Sequence, residues 1–122
     1  MTLTRAIPIH VHGAVEVLAA PLLLVAPFAL GFSAAVGALS LALGVLLIGL
    51  ALSIYGGQAD RPPLPLTAHA GFDYALAGAT VAIGLAVGLI ARDLTAAIFL
   101  VGFGSAHMAL TASTRYTRPL GA

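Results

Sequence analysis

Two short segments of this chain carry the same chemistry: His12-Gly-Ala-Val-Glu16 and His69-Ala-Gly-Phe-Asp73 each set a histidine four residues before a carboxylate, and each opens a long apolar run. At helical pitch a four-residue spacing puts both side chains on one face, so each pair points in one direction. Ionisable groups inside a membrane span cost roughly 3 kcal/mol each near the bilayer centre on insertion scales, and they mark a functional site by default. A third histidine, His107, lies inside another apolar run. It precedes Arg115 by eight residues, about 12 Å of helix, which sets it near the depth of the other two. The five residues His12, Glu16, His69, Asp73 and His107 are therefore expected to converge in one layer, with Ser53, Tyr55, Tyr74 and Thr111 in reach as hydrogen-bond partners.

Three chemistries suit that set. Two histidines with a carboxylate are a sufficient ligand set for zinc, iron or manganese, and facing helices are a common source of such ligands. The spacing differs from the Glu-x-x-His of carboxylate-bridged di-iron bundles and lacks the internal Glu of a zinc-protease helix. Haem b is the second form of the idea, with His69 and His107, or His12 and His69, as axial ligands on either side of the iron. The rival from another class is proton- or cation-coupled transport, or an accessory subunit of a membrane oligomer, with Glu16 and Asp73 exchanging the proton and histidine extending the relay. A purely structural alternative pairs each acid with its own histidine or with arginine near the interface. His10 reads as an interfacial residue.

Composition fixes what must hold these residues. Of 122 residues, 61% are hydrophobic and 7% charged, and the mean hydropathy is +1.10. A soluble domain carries about 25% charged residues, so the chain is read as one integral membrane domain over 1–122. A net formal charge of only +1, with five scattered arginines against four acids, excludes a nucleic-acid surface. The absence of cysteine removes disulfides, thiolate metal sites and cysteine nucleophiles. No phosphate loop, nucleophile elbow or dinucleotide fingerprint is present. The start of the chain reaches Glu16 before an apolar stretch can build, so the first span is expected to be retained rather than cleaved.

The uncharged runs Val17 to Ile54, Tyr74 to Ala91 and Leu94 to Thr114 hold two, one and one crossings of about 20 residues each. The spans are placed at 12–31, 34–55, 68–91 and 94–115. Pro27 and Gly31 break the first run and Ser33 can cap the helix that follows. The proline- and glycine-rich stretch from Gly56 to Thr67 links two halves, and the tight turn at Arg92-Asp93 closes the second hairpin. Arg5, Arg61, Arg115 and Arg118 fall on the side of both termini against Arg92 alone on the other, which predicts both termini in the cytoplasm.

Each half reads as a His-x3-acid start, two apolar helices and a closing Ser53-Ile-Tyr55 or Thr114-Arg-Tyr116. Copies of two crossings share one orientation and are related by an axis along the membrane normal. The expected fold is an all-α four-helix bundle of two similar hairpins. Gly84-Leu-Ala-Val-Gly88, with Gly78, Ala82 and Ala86, gives a small-residue face for internal packing or for a homo-oligomer, and Gly102-Phe-Gly104 lets a neighbour approach His107. The segment Leu18-Ala-Ala-Pro-Leu-Leu-Leu-Val-Ala-Pro27-Phe28-Ala-Leu30-Gly31-Phe32-Ser33 resembles the SPW-repeat family of small bacterial membrane proteins, in which a helix ends at a Ser/Ala-Pro-aromatic and a Leu-Gly-Phe-like turn follows. Ala26 and Phe28 stand where the family name expects Ser and Trp. The resemblance implies a bacterial membrane protein and no particular chemistry.

Overall fold

The computed structural model describes residues 5–55 and 64–117. Four helices form an all-α bundle: α1 (Ile9–Ala29), α2 (Ala34–Leu52), α3 (Leu66–Ala86, continued by a π turn over Val87–Ala91) and α4 (Leu94–Ala112). All four are long and apolar enough to span a bilayer. Their outer faces carry Leu18, Phe28, Leu89 and Ile90, each at least 78% exposed, while His12, Glu16, Ser40, His69, Asp73, Thr80 and Thr111 lie inside. Apolar outside and polar inside is the arrangement that hydrocarbon, and not water, selects.

Both hairpins start the same way. Pro8 caps α1 and Pro65 caps α3, where a residue without an N–H loses nothing, since the first helical donors have no partner. His12 N–H then donates to Pro8 O (3.0 Å) and His69 N–H to Pro65 O (2.9 Å). Helices α1 and α3 thus begin two to three residues earlier than the sequence placed them, at 9 and 66 instead of 12 and 68. They carry their histidines one turn deep and their acids two turns deep. Helices α2 and α4 end three residues sooner, at 52 and 112 instead of 55 and 115, and α1 ends at 29 instead of 31. The linker over 56–63, with Arg61, and Arg118 lie outside the described residues.

Pro27 sits within α1, inside the span placed at 12–31. It cannot donate to Leu23 O, and the hydroxyl of Ser40 on α2 donates there instead (2.6 Å), meeting the need for every backbone group in hydrocarbon to find a partner. The helix stops two residues later because Gly31 takes φ +68° and Phe32 N–H reaches back to Pro27 O (3.0 Å), a Schellman closure. Ser33 then accepts from Val36 N–H (3.3 Å) to start α2, as its place in the sequence predicted. At the opposite turn Arg92 adopts φ 56°, and Asp93 Oδ1 accepts from Ala96 N–H (3.1 Å).

The halves repeat in three dimensions. Buried His12, Glu16, Ala20 and Leu23 of α1 correspond to buried His69, Asp73, Ala77 and Thr80 of α3, 57 positions on. Buried Val36, Ser40, Gly44, Leu47 and Ala51 of α2 correspond to Ala96, Leu100, Gly104, His107 and Thr111 of α4, 60 positions on. Close packing lies within each hairpin: Gly44 admits Leu23 and Leu24 of α1, and Gly104 admits Ala77 and Val81 of α3. Gly84 and Gly88 meet α4 at Leu100, Val101 and Ala97, so the GxxxG face is used inside the chain. The hairpins join through a core of Ala20, Leu23, Val36, Leu43, Leu47, Val87, Ala96 and Leu100, and through Phe32, Phe99 and Phe103, whose rings stand 6.0 and 5.9 Å apart in succession. A Cβ at Gly104 would lie 2.7 Å from Val81 Cγ2 and 2.9 Å from backbone atoms of Ala77 and Val81, whereas Gly102 has open space. Gly104→Ala is therefore expected to cost about 1–3 kcal/mol, and Gly102→Ala to gain about 0.5–1 kcal/mol from helix propensity, read as opposite shifts in thermal unfolding in detergent.

Candidate metal centre

All five residues singled out by type and spacing meet in one layer near the ends of the helices that the two termini share. His12, Glu16, His69 and Asp73 are each no more than 1% exposed, and His107 is 6% exposed. The imidazole Nε2 atoms converge on two carboxylates. His12 Nε2 lies 2.9 Å from Asp73 Oδ2 and 3.1 Å from Glu16 Oε1. His69 Nε2 lies 3.2 Å from Asp73 Oδ2 and 3.4 Å from Glu16 Oε1. His107 Nε2 donates to Glu16 Oε2 at 2.8 Å and stands 3.5 Å from Asp73 Oδ1. Each acid therefore faces the histidine of the other half as well as its own, and the pairs expected from spacing are shared between halves.

The outer nitrogens are fixed by hydroxyls, and the fixing is exchanged between halves. His12 Nδ1, of the first hairpin, is 2.8 Å from Thr114 Oγ1, which follows α4. His69 Nδ1, of the second hairpin, is 3.2 Å from Ser53 Oγ, which follows α2. Each hydroxyl gives its own proton to a backbone carbonyl, Thr114 to Leu110 O (2.6 Å) and Ser53 to Leu50 O (2.6 Å). A hydroxyl has one proton, so both accept from the imidazole. Nδ1 of His12 and His69 therefore carries the proton, and Nε2 is the atom left to face the carboxylates. Metal-ligating histidines are held in this way, with the remote N–H tied to an oxygen.

Tyr116 closes the site toward the membrane surface. Its hydroxyl donates to Asp73 Oδ2 (2.8 Å), and its ring stands edge-on to His12 at 5.3 Å between centroids. Burial, then the adjacent Asp73 carboxylate, pushes the Tyr116 phenol above its ordinary pKa, so it stays a donor across the physiological range. The segment that carries Thr114 and Tyr116 is held by a parallel bridge to Ile7: Ile7 N–H donates to Ser113 O (3.0 Å) and Arg115 N–H to Ile7 O (2.9 Å).

Among the hydrogen-bond partners expected from the sequence, Ser53 takes that role. Tyr55 donates to His10 O (2.9 Å) instead, Tyr74 is 40% exposed, and Thr111 is buried without a partner among the described residues. His10 is exposed beside Tyr55, as an interfacial residue should be. Thr114 and Tyr116 were missed as site residues. The signal was present in their parallel with Ser53 and Tyr55 at the close of each half, and in Pro-x3-His-x3-acid, which both halves share at Pro8 and Pro65.

Removing the Thr114 hydroxyl leaves a sealed imidazole N–H without an acceptor. Thr114→Val is expected to destabilise by about 1–3 kcal/mol. Ser53→Ala, at a longer bond and a half-buried site, is expected to cost about 0.6 kcal/mol, a usual value for a polar contact between membrane helices. Thermal unfolding in detergent should rank the two in that order. Compared with protein-family models, with curated proteins and with solved structures, the chain matches none.

Proposed function

We propose that this protein is a small multi-pass protein of a bacterial inner membrane that binds a divalent transition-metal ion between His12, Glu16, His69 and Asp73, with His107 as an adjoining ligand. The observation that carries the reading is the pair of hydroxyl-fixed imidazoles, whose Nε2 atoms and two carboxylates offer ligand atoms all within 4.8 Å of one another in a sealed core. Four ligands at about 2.0–2.2 Å from zinc have tetrahedral edges of about 3.3–3.6 Å; the four nitrogen–oxygen separations here run from 2.9 to 3.4 Å, and the four ligand atoms all lie within 4.8 Å of one another. Hydrogen bonds would suit these distances too. What favours an ion is Asp73 Oδ1, buried with no hydrogen-bond partner among the described residues and with His107 Nε2 3.5 Å away, because an ion bound by both oxygens of Asp73 would serve it. An ion of charge +2 would also balance two ionised carboxylates where water is excluded.

Two imidazole nitrogens with two carboxylate oxygens suit zinc, iron or manganese. A bare ion is favoured over haem b because Glu16 and Asp73 fill the space between His12 and His69, which a flat porphyrin would need. Arg5 and Arg115 near the site, against Arg92 with Asp93 at the far turn, support cytoplasmic termini. The likeness of Leu18–Ser33 to the SPW repeat supports the bacterial setting.

Protein purified without a polyhistidine tag should retain about one zinc, manganese or iron ion per chain after dialysis, measured by plasma mass spectrometry, with no Soret band in its absorption spectrum. Asp73→Asn and His69→Ala should each lower metal affinity by at least about 100-fold, and Thr114→Val by about 10–100-fold. Metal at background level after loading with each ion in turn would overturn the proposal in favour of a proton relay through the same carboxylates.

A further inference from the structure

The third histidine departs from the pattern of the other two. His12 Nδ1 and His69 Nδ1 are tied to hydroxyls, but His107 Nδ1 has no partner among the described residues, although the side chain is 5% exposed. Its Nε2 is engaged with Glu16. His107 also borders a cavity of about 210 Å³ between α1 and α4, walled by Ala19 and Leu22 on one side and by Phe103 and Ala106 on the other. Glu16 and His107 are its only polar members. Leu22, 55% exposed at its rim, belongs to the face that meets hydrocarbon, so the cavity opens sideways into the bilayer. The matching groove between α2 and α3 includes Ser53, whose hydroxyl already serves His69. No hydroxyl lines the cavity beside His107.

We propose that this cavity is a binding site for a lipid-soluble alcohol or phenol, which enters between α1 and α4 and hydrogen-bonds His107 Nδ1 with its hydroxyl. Hydrocarbon cannot satisfy a ring nitrogen, and leaving it unpaired in an apolar setting is costly. With Nε2 donating to Glu16, Nδ1 of the neutral ring is an acceptor. Were Nε2 on a metal instead, Nδ1 would be a donor. A hydroxyl both donates and accepts, so it fits either state and the site does not depend on the ion. A volume of about 210 Å³ falls below the roughly 300–1,000 Å³ that encloses a drug-sized ligand. It suits one ring or a short polar head whose tail remains among the lipid chains.

The test uses the full chain in phosphatidylcholine nanodiscs, with 4-octylphenol as the probe and octylbenzene as a control of matched body without the hydroxyl. The expected result is saturable binding of octylphenol with a shift in the nitrogen-15 resonance of His107 Nδ1, and unsaturable partition of octylbenzene. Ala19→Phe, which fills the cavity without replacing a metal ligand, should weaken octylphenol binding by about tenfold or more while metal content stays unchanged. If that variant fails to fold, Ala106→Phe blocks the same space from α4. Equal, unsaturable uptake of both probes, or octylphenol binding unaffected by a folded cavity-filling variant, would overturn the assignment.

Discussion

Two carboxylates shut away from water in a protein surrounded by hydrocarbon set the terms for everything at this end of the bundle. Neither Glu16 nor Asp73 can be solvated where it lies, so each must be met by nitrogen donors or a cation. The local structure follows from that need. Prolines without N–H groups start α1 and α3, so the helices begin early enough to carry the acids two turns into the apolar layer. Three histidines from three helices supply the nitrogens, and serine, threonine and tyrosine supply the outer hydrogen bonds. At the opposite end the same rule acts on the backbone, where Ser40 serves the carbonyl that Pro27 leaves unpaired.

The duplication explains the site's shape, and its departures explain the site's chemistry. A perfect repeat would set a histidine at Leu47, which occupies on α2 the place of His107 on α4, and would bring Tyr55 to Glu16 as Tyr116 comes to Asp73. Instead Leu47 leaves that corner apolar, and Tyr55 turns away to the backbone of His10. The two acids consequently live in different company: Asp73 accepts from a phenol, while Glu16 accepts from the one imidazole that borders the lipid. The asymmetry puts a histidine on the groove between α1 and α4 and none on its counterpart between α2 and α3.

Much of this was legible in the residues. A four-residue spacing is enough to place His12 over Glu16 and His69 over Asp73, because helical pitch is invariant, and counting back from Arg115 gave the depth of His107. The hairpins, the Gly31 turn and the Ser33 cap followed from local rules. The interleaving of the halves was not legible, since nothing local says that Thr114 belongs to His12 or Ser53 to His69 when more than a hundred residues separate the first pair. The direction of the Gly84–Gly88 face was equally hidden, because small residues mark close approach without naming the neighbour. Tyr116 was not assigned to the site because it lies past the end of α4, where the bridge to Ile7 and its own bond to Asp73 set its position.

That bridge also sets a timetable for biogenesis. Helix α1 reaches the bilayer carrying an acid whose partners His69 and His107 are 53 and 91 residues away along the chain, and the strap bearing Thr114 and Tyr116 is made after all four helices. Until the strap docks on Ile7, the start of α1 has strong reason to linger among headgroups and water. Burial of Glu16 thus waits on α3 and α4, which bring His69 and His107, and His12 gains its outer acceptor only with the segment that follows α4.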